Sequence, residues 1–137
     1  MTINYRKNGF FRLDGHVDPL ADGPNVCIVG LLSDTVLTIS EVGPPESTTA
    51  DPARVALESW AAGDVDVLLP ARCLVHLSGR ARDELNHGIR LGVSATQLRE
   101  RGVPADDGAL FDWHGSIDRP VRRSPERISI VFAFAGA

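Results

Sequence analysis

His16 and Asp18 stand two residues apart in Gly15-His16-Val17-Asp18-Pro19, and a second histidine follows far downstream in Asn86-His87-Gly88-Ile89. Two imidazoles and one carboxylate can form the facial set that holds non-haem Fe(II) with coordination positions left open for a cosubstrate and O2. The spacing has a geometric reason. On extended backbone, residues i and i+2 project to the same side, so His16 and Asp18 can address one metal without a turn between them. The third ligand must come from a strand laid alongside, so its distance along the chain is free. The competing reading is a turn after Asp14-Gly15 with both side chains in water, and a polar connection at His87. An isolated His-x-Asp does not decide between them.

The elements that would have to position these residues are short strands. Thr2–Arg6 reads as a strand, followed by a turn at Lys7-Asn8-Gly9, a short run Phe10–Leu13, and Asp14-Gly15 as punctuation. Asn25–Leu32 is apolar at nearly every position and rich in β-branched residues, as expected of a strand covered on both faces. Ser33-Asp34 breaks it, and Thr35–Ser40 follows as its expected hairpin partner. Glu41–Ala50 reads as a loop, and Asp51-Pro52 can start a short helix to about Ala62 or, equally, an extended excursion. Val65–Leu69 and Cys73–Leu77 are strands, and Arg80–Asn86 is a turn or single helical turn that delivers His87. From Leu91 to Glu126 the pattern dissolves, apart from a short helix near Thr96–Arg101. Arg127–Phe134 is the clearest strand in the chain. Many short strands with turn signals and little helix predict an all-β jelly roll.

With 137 residues, the chain has the length of one domain with a small core, and 43% hydrophobic against 23% charged residues marks it as globular. A net charge of −4 argues against broad nucleic-acid affinity, though not against a local basic patch. Cys27 and Cys73 make no disulfide framework and read as reduced thiols. No apolar run has the length of a membrane span, and the first residues do not form a signal peptide. An intracellular protein, cytoplasmic or nuclear, with no membrane partner is the expectation.

The order of the motifs says more than any one of them. Asn4 precedes His-x-Asp, then comes Leu-Ser-Asp-Thr-Val-Leu, then Leu-Pro-Ala-Arg-Cys-Leu-Val-His-Leu-Ser-Gly-Arg-Ala-Arg, then Asn-His-Gly-Ile, then Arg-Ile-Ser-Ile-Val-Phe. This series resembles the AlkB family of Fe(II)- and 2-oxoglutarate-dependent dioxygenases. It is most similar to the eukaryotic-type homologues with a long insertion before the final Arg strand. The resemblance runs from Asn4 to about Phe134. It implies a double-stranded β-helix over residues 1–137, with insertions at about 41–63 and 91–126 and without the family's N-terminal part. It further implies that His16, Asp18 and His87 hold Fe(II), that Arg127 pairs with the distal carboxylate of 2-oxoglutarate, and that Asn4 hydrogen-bonds the same cosubstrate. A guanidinium fork suits a carboxylate and keeps its charge when enclosed. The activity implied is hydroxylation by O2 or oxidative demethylation, with methylated nucleic acid as one substrate class.

Two departures bear on that expectation. The family often carries a second arginine six residues after the first, on the same strand face, where this chain has Ala133. The family's tyrosine two places after the asparagine is replaced by Arg6, a candidate substitute cation, with Tyr5 on the opposite face. Outside the triad, His76 reads as a strand-face residue and His114 as surface. Trp113 could stack on a base, and Arg119, Arg122 and Arg123 form a basic stretch that could meet phosphates. The alternative to an enzyme is a catalytically impaired domain that binds metal or 2-oxoglutarate and acts through a partner. A cupin-like binding domain without iron chemistry is a weaker third reading.

Overall fold

A computed structural model of the chain describes residues 1–7, 12–41 and 63–134. In chain order its strands are β1 (Thr2–Lys7), β2 (Leu13–His16), β3 (Asn25–Leu31), β4 (Thr35–Ser40), β5 (Val65–Leu69), β6 (Leu74–Leu77), β7 (Asn86–Ile89), β8 (Val93–Ser94), β9 (Leu110–His114), β10 (Ser116–Arg122) and β11 (Glu126–Phe134). Two short helices, α1 (Arg80–Asp83) and α2 (Ala95–Glu100), and a 3-10 turn at Leu20–Asp22 interrupt them. The helix expected from Asp51 lies outside the described residues, as do the Asn8-Gly9 turn and Phe10-Phe11.

The pairing is that of one long antiparallel ribbon wrapped on itself. β1 pairs with β11, β2 with β7, β3 with β6 and β4 with β5. Wrapping brings β11 against β3 and β7 against β4, giving two antiparallel sheets of order β1-β11-β3-β6 and β2-β7-β4-β5. This is an all-β, jelly-roll-like fold, as expected. Val26, Ile28 and Leu77 of the first sheet meet Leu37 and Ile89 of the second in one buried cluster.

β4 is not the hairpin partner of β3. It lies in the opposite sheet between β5 and β7. The link Leu32-Ser33-Asp34 carries the chain across the core, with Leu32 in the left-handed region at φ 72°. Asp34 Oδ1 anchors it by accepting from the Ala71 backbone at 2.8 Å. Both strands are apolar enough to form a hairpin or to face each other, and periodicity does not separate the two outcomes.

The stretch from Leu91 to Glu126 is ordered rather than irregular. β10-β9-β8 form a third sheet, and α2 begins at a capping box in which Ser94 and Gln97 bond reciprocally. Val93, Leu98, Phe111 and Trp113 close a second buried cluster. Two carboxylates tie this layer to the jelly roll. Asp66 accepts from Thr38 Oγ1 at 2.7 Å, Arg90 Nη1 at 2.7 Å and the Gly115 backbone at 2.8 Å. Asp112 accepts from the Val36 backbone at 3.3 Å and pairs with Arg123. β4 is therefore buried on both faces, which explains why Thr38 and Ser40, polar residues on its outer side, are almost fully enclosed.

Among the described residues no helix is long and apolar enough to cross a membrane.

Candidate metal centre

β2 would bring Gly15 opposite His87 if its register ran evenly, because Leu13 pairs with Ile89 two positions on. The register shifts between Leu13 and His16, so His16 takes that place instead. The Asp14-Gly15 pair thus acts as a bulge rather than as simple punctuation, and an extra residue on one strand re-aims the side chain that follows. His87 shares a strand face with Ile89 and so points into the jelly roll. The two imidazoles lie tilted at 48° to each other with centroids 4.5 Å apart. Asp18 lies past the end of β2, in the irregular stretch 17–19, so the strand alternation that suggested the pair covers only its first member.

His16 Nε2 is 3.2 Å from Asp18 Oδ1, and His87 Nε2 is 3.6 Å from Asp18 Oδ2. Ligand atoms of the three residues all lie within 4.8 Å of one another, so the triad could hold a metal ion. Metal–ligand bonds of about 2.1 Å at right angles set donor spacings of about 3 Å, so the three side chains would draw somewhat closer around an ion. Asp18 Oδ2 is buried with no hydrogen-bond partner, an arrangement costly for a carboxylate and suited to a cation. Burial lowers the pKa of His87 below its ordinary value, and His16 and Arg82 push the same way while Asp18 opposes them. A neutral imidazole is the form that binds metal. The side chain of His16 is 39% exposed against 2% for His87, so the centre opens to solvent on the His16 side.

Arg82, which carries no sequence-level role beyond its place in the motif, holds the carboxylate's backbone. It is fully buried on α1. Nη1 donates to the Asp18 carbonyl at 2.9 Å and Nη2 to the Pro19 carbonyl at 2.6 Å. One rigid guanidinium thereby fastens the irregular stretch carrying Asp18 to the helix that precedes His87. A basic residue in Arg80-Ala81-Arg82-Asp83 reads as a solvated face, and only its burial reveals the clamp.

On the same inner face, one strand repeat of about 7 Å from His87, Ile89 borders a cavity of about 90 Å³. Asn4, Arg6, Arg127, Ser129 and Val131 line one side, and Leu13, Leu37, Leu69 and Ile89 the other. Arg6 is the cross-strand partner of Arg127, and Asn4 that of Ser129. Arg12 also lines it, a residue the motif reading passed over. Three guanidiniums and no carboxylate stand among the described lining residues. Arg127 is 8% exposed and donates from Nε to Thr35 Oγ1 at 3.2 Å and from Nη1 to Ser129 Oγ at 3.3 Å. Burial lowers its pKa, Asp112 opposes this, and Arg123 and Arg6 lower it further. An anion beside Arg6 and Arg127 would relieve that crowding. Ala133 is exposed and no part of the lining.

Several other readings change. Trp113 is 7% exposed and lies under the Arg90 guanidinium at 4.7 Å, so it offers no face to a base. Arg123 is no surface cation: it is buried, pairs with Asp112 and donates to the carbonyls of Leu91 and Arg90. Its guanidinium sits where a Cβ on Gly92 would fall, at 2.8 Å, so glycine is required there. Arg119 and Arg122 are exposed, Arg122 with Asp106 at 3.9 Å. His114 is half-buried, with Nε2 3.2 Å from the Asp66 carbonyl. His76 is on a strand face, with Nε2 2.9 Å from Asn25 Oδ1. Tyr5 points away from the cavity and donates to Glu126 at 2.7 Å. Cys27 and Cys73 are free thiols. No protein-family model matches the chain, and no curated protein matches it.

Proposed function

We propose that this chain is an Fe(II)- and 2-oxoglutarate-dependent dioxygenase of AlkB-like type, which hydroxylates a substrate C–H bond or removes an N-methyl group oxidatively. One composite observation carries the reading: a two-histidine, one-carboxylate donor set and an arginine-lined cavity share the inner face of one jelly roll, where the ligand His87 and the lining residue Ile89 stand two residues apart on β7. Either alone would be weak support.

Bound at His16, Asp18 and His87, Fe(II) would supply the O2 activation and electron transfer that no side chain here offers. The chain's own part is binding and placement. His87, held neutral by burial, presents Nε2 toward Asp18. Asp18 contributes the negative charge that a divalent ion needs, and Arg82 fixes its backbone. Arg127 receives the distal carboxylate of 2-oxoglutarate, and Asn4 and Ser129 offer hydrogen bonds beside it. Arg6 takes the part of the cation absent at Ala133. Leu13, Leu37 and Leu69 exclude water from the cosubstrate. In overall balance, O2 gives one oxygen atom to the substrate and one to succinate as CO2 leaves. Methylated nucleic acid as substrate rests on the family resemblance alone, and protein or small-molecule substrates are alternatives. Free thiols and an Fe(II) centre fit an intracellular compartment, cytoplasmic or nuclear.

Ala133 favours a second reading, a domain that binds metal or 2-oxoglutarate without turnover. Anaerobic Fe(II) plus 2-oxoglutarate should give a weak visible charge-transfer band that His16→Ala abolishes. Succinate release should require O2 and be lost in Asp18→Ala. Metal binding without succinate selects the second reading. No thermal stabilisation by Mn(II) or 2-oxoglutarate refutes both, because a ligand of the native state raises its stability.

A further inference from the structure

We infer that the outer face of the first sheet is a self-association surface on which a second copy of this chain packs, sheet against sheet. An antiparallel sheet with one face in water reads apolar inward and polar outward. The first sheet does not. Its inward positions, Val26, Ile28, Leu77 and Val131, belong to the core. Most of its outward positions are apolar as well, the exceptions on β3 and β6 being Asn25 and His76, which bond to each other toward one end. One row across all four strands is Ile3, Ile130, Val29 and Leu74, as the pairing register requires. Tyr5 and Ile128 extend the patch toward one end of the strands, and Phe132 and Phe134 toward the other. Ile3 is 61% exposed, Leu74 59%, Phe134 49%, Tyr5 44% and Phe132 37%. Among the described residues no element covers this face, whereas the third sheet covers the outer side of β4.

Area and charge indicate what the partner is. The exposed parts of these side chains, with the partly covered ones between them, present roughly 600–800 Å². That exceeds the largest patch of a typical monomer, about 300–600 Å². Two such faces together bury roughly 1,200–1,600 Å², the span of a stable interface. Lys7 and Glu126 are cross-strand partners of opposite sign at the rim, so the face offers no net charge to a nucleic acid or an anionic membrane. A largely apolar sheet face with no net charge is complementary to itself, and two-fold packing uses the same patch on both copies. The donor set lies on the other sheet with His16 toward solvent, so the association leaves the metal centre open and does not depend on the proposed activity.

Sedimentation velocity of the full chain over a wide concentration range tests this. Wild type should sediment as a dimer at micromolar concentration. Ile3→Lys and Leu74→Glu place charge at exposed positions where the monomer fold tolerates it, and each should weaken the dimer about 100-fold or more. Leu68→Lys, at an exposed position of β5 in the other sheet, should leave the dimer intact. Circular dichroism and a cooperative thermal unfolding transition establish that each variant is folded. A wild type that stays monomeric overturns the inference and leaves the face to a different apolar partner. So does a dimer that survives Ile3→Lys and Leu74→Glu, or association that proceeds past the dimer.

Discussion

Arg82→Met removes the clamp on Asp18 while nearly keeping the volume. The guanidinium is fully buried and donates to two carbonyls, those of Asp18 and Pro19. Leaving two partly buried acceptors unpaired costs up to about 1–3 kcal/mol each. Against that, wild type buries a cation whose Nε has no partner and whose nearest carboxylate, Asp83, is 3.9 Å away. Desolvation of such a group costs several kcal/mol, and the variant is spared it. The two terms largely offset, so the metal-free variant should lose only about 1–3 kcal/mol in urea unfolding. Metal affinity is a different matter. Residues that orient a ligand without touching the metal typically contribute 10–100-fold, or about 1.4–2.7 kcal/mol. Titration with Mn(II) should therefore show binding weakened by about that factor. Arg82→Lys should fall between, because one ammonium keeps the charge but cannot span both carbonyls as the planar fork does. A folded Arg82→Met protein that binds Mn(II) as tightly as wild type would refute the argument and make Arg82 a packing residue only.

Three further outcomes follow from the same geometry. Arg127→Leu should abolish the thermal shift produced by 2-oxoglutarate, and Arg6→Ala should weaken that binding about 3–10-fold, more at low salt, as expected for an exposed cation assisting a buried one. Because the folded pKa of His87 lies below its ordinary value, the unfolded chain takes the proton first as pH falls. Stability of the metal-free protein should then be full above about pH 6.5 and decline below it, and His87→Gln should flatten that slope in urea midpoints measured from pH 5 to 8. Leu98→Ala, at a fully buried position of the second cluster, should cost about 2–5 kcal/mol yet leave Mn(II) affinity unchanged, since the triad belongs to the other layers.

What could be read from the chain itself was local. Apolar runs marked β3, β4 and β11, the short helical turn before His87 was visible, and the two-residue spacing of His16 and Asp18 drew attention to the candidate metal centre. An all-β jelly roll followed from those runs. Arg6 could be named as a candidate cation beside Arg127 because strand parity puts it on the face of Asn4, and it lines the cavity there.

The tertiary structure decided everything that depends on which strand lies beside which. Periodicity records that a residue is buried, not what buries it, so β3 and β4 read as a hairpin although they stand in opposite sheets. The bulge at Asp14-Gly15 decides that His16 rather than Gly15 faces His87, and a one-residue register is invisible without the partner strand. Two buried cations could not be recognised as such for a related reason. Arg82 and Arg123 look like solvated charges because a sequence carries no measure of desolvation. One fastens Asp18, and the other joins the third sheet to the jelly roll. The residue types of a metal centre were written in the chain, but their convergence within 4.8 Å was settled only by the wrapping of the strand ribbon.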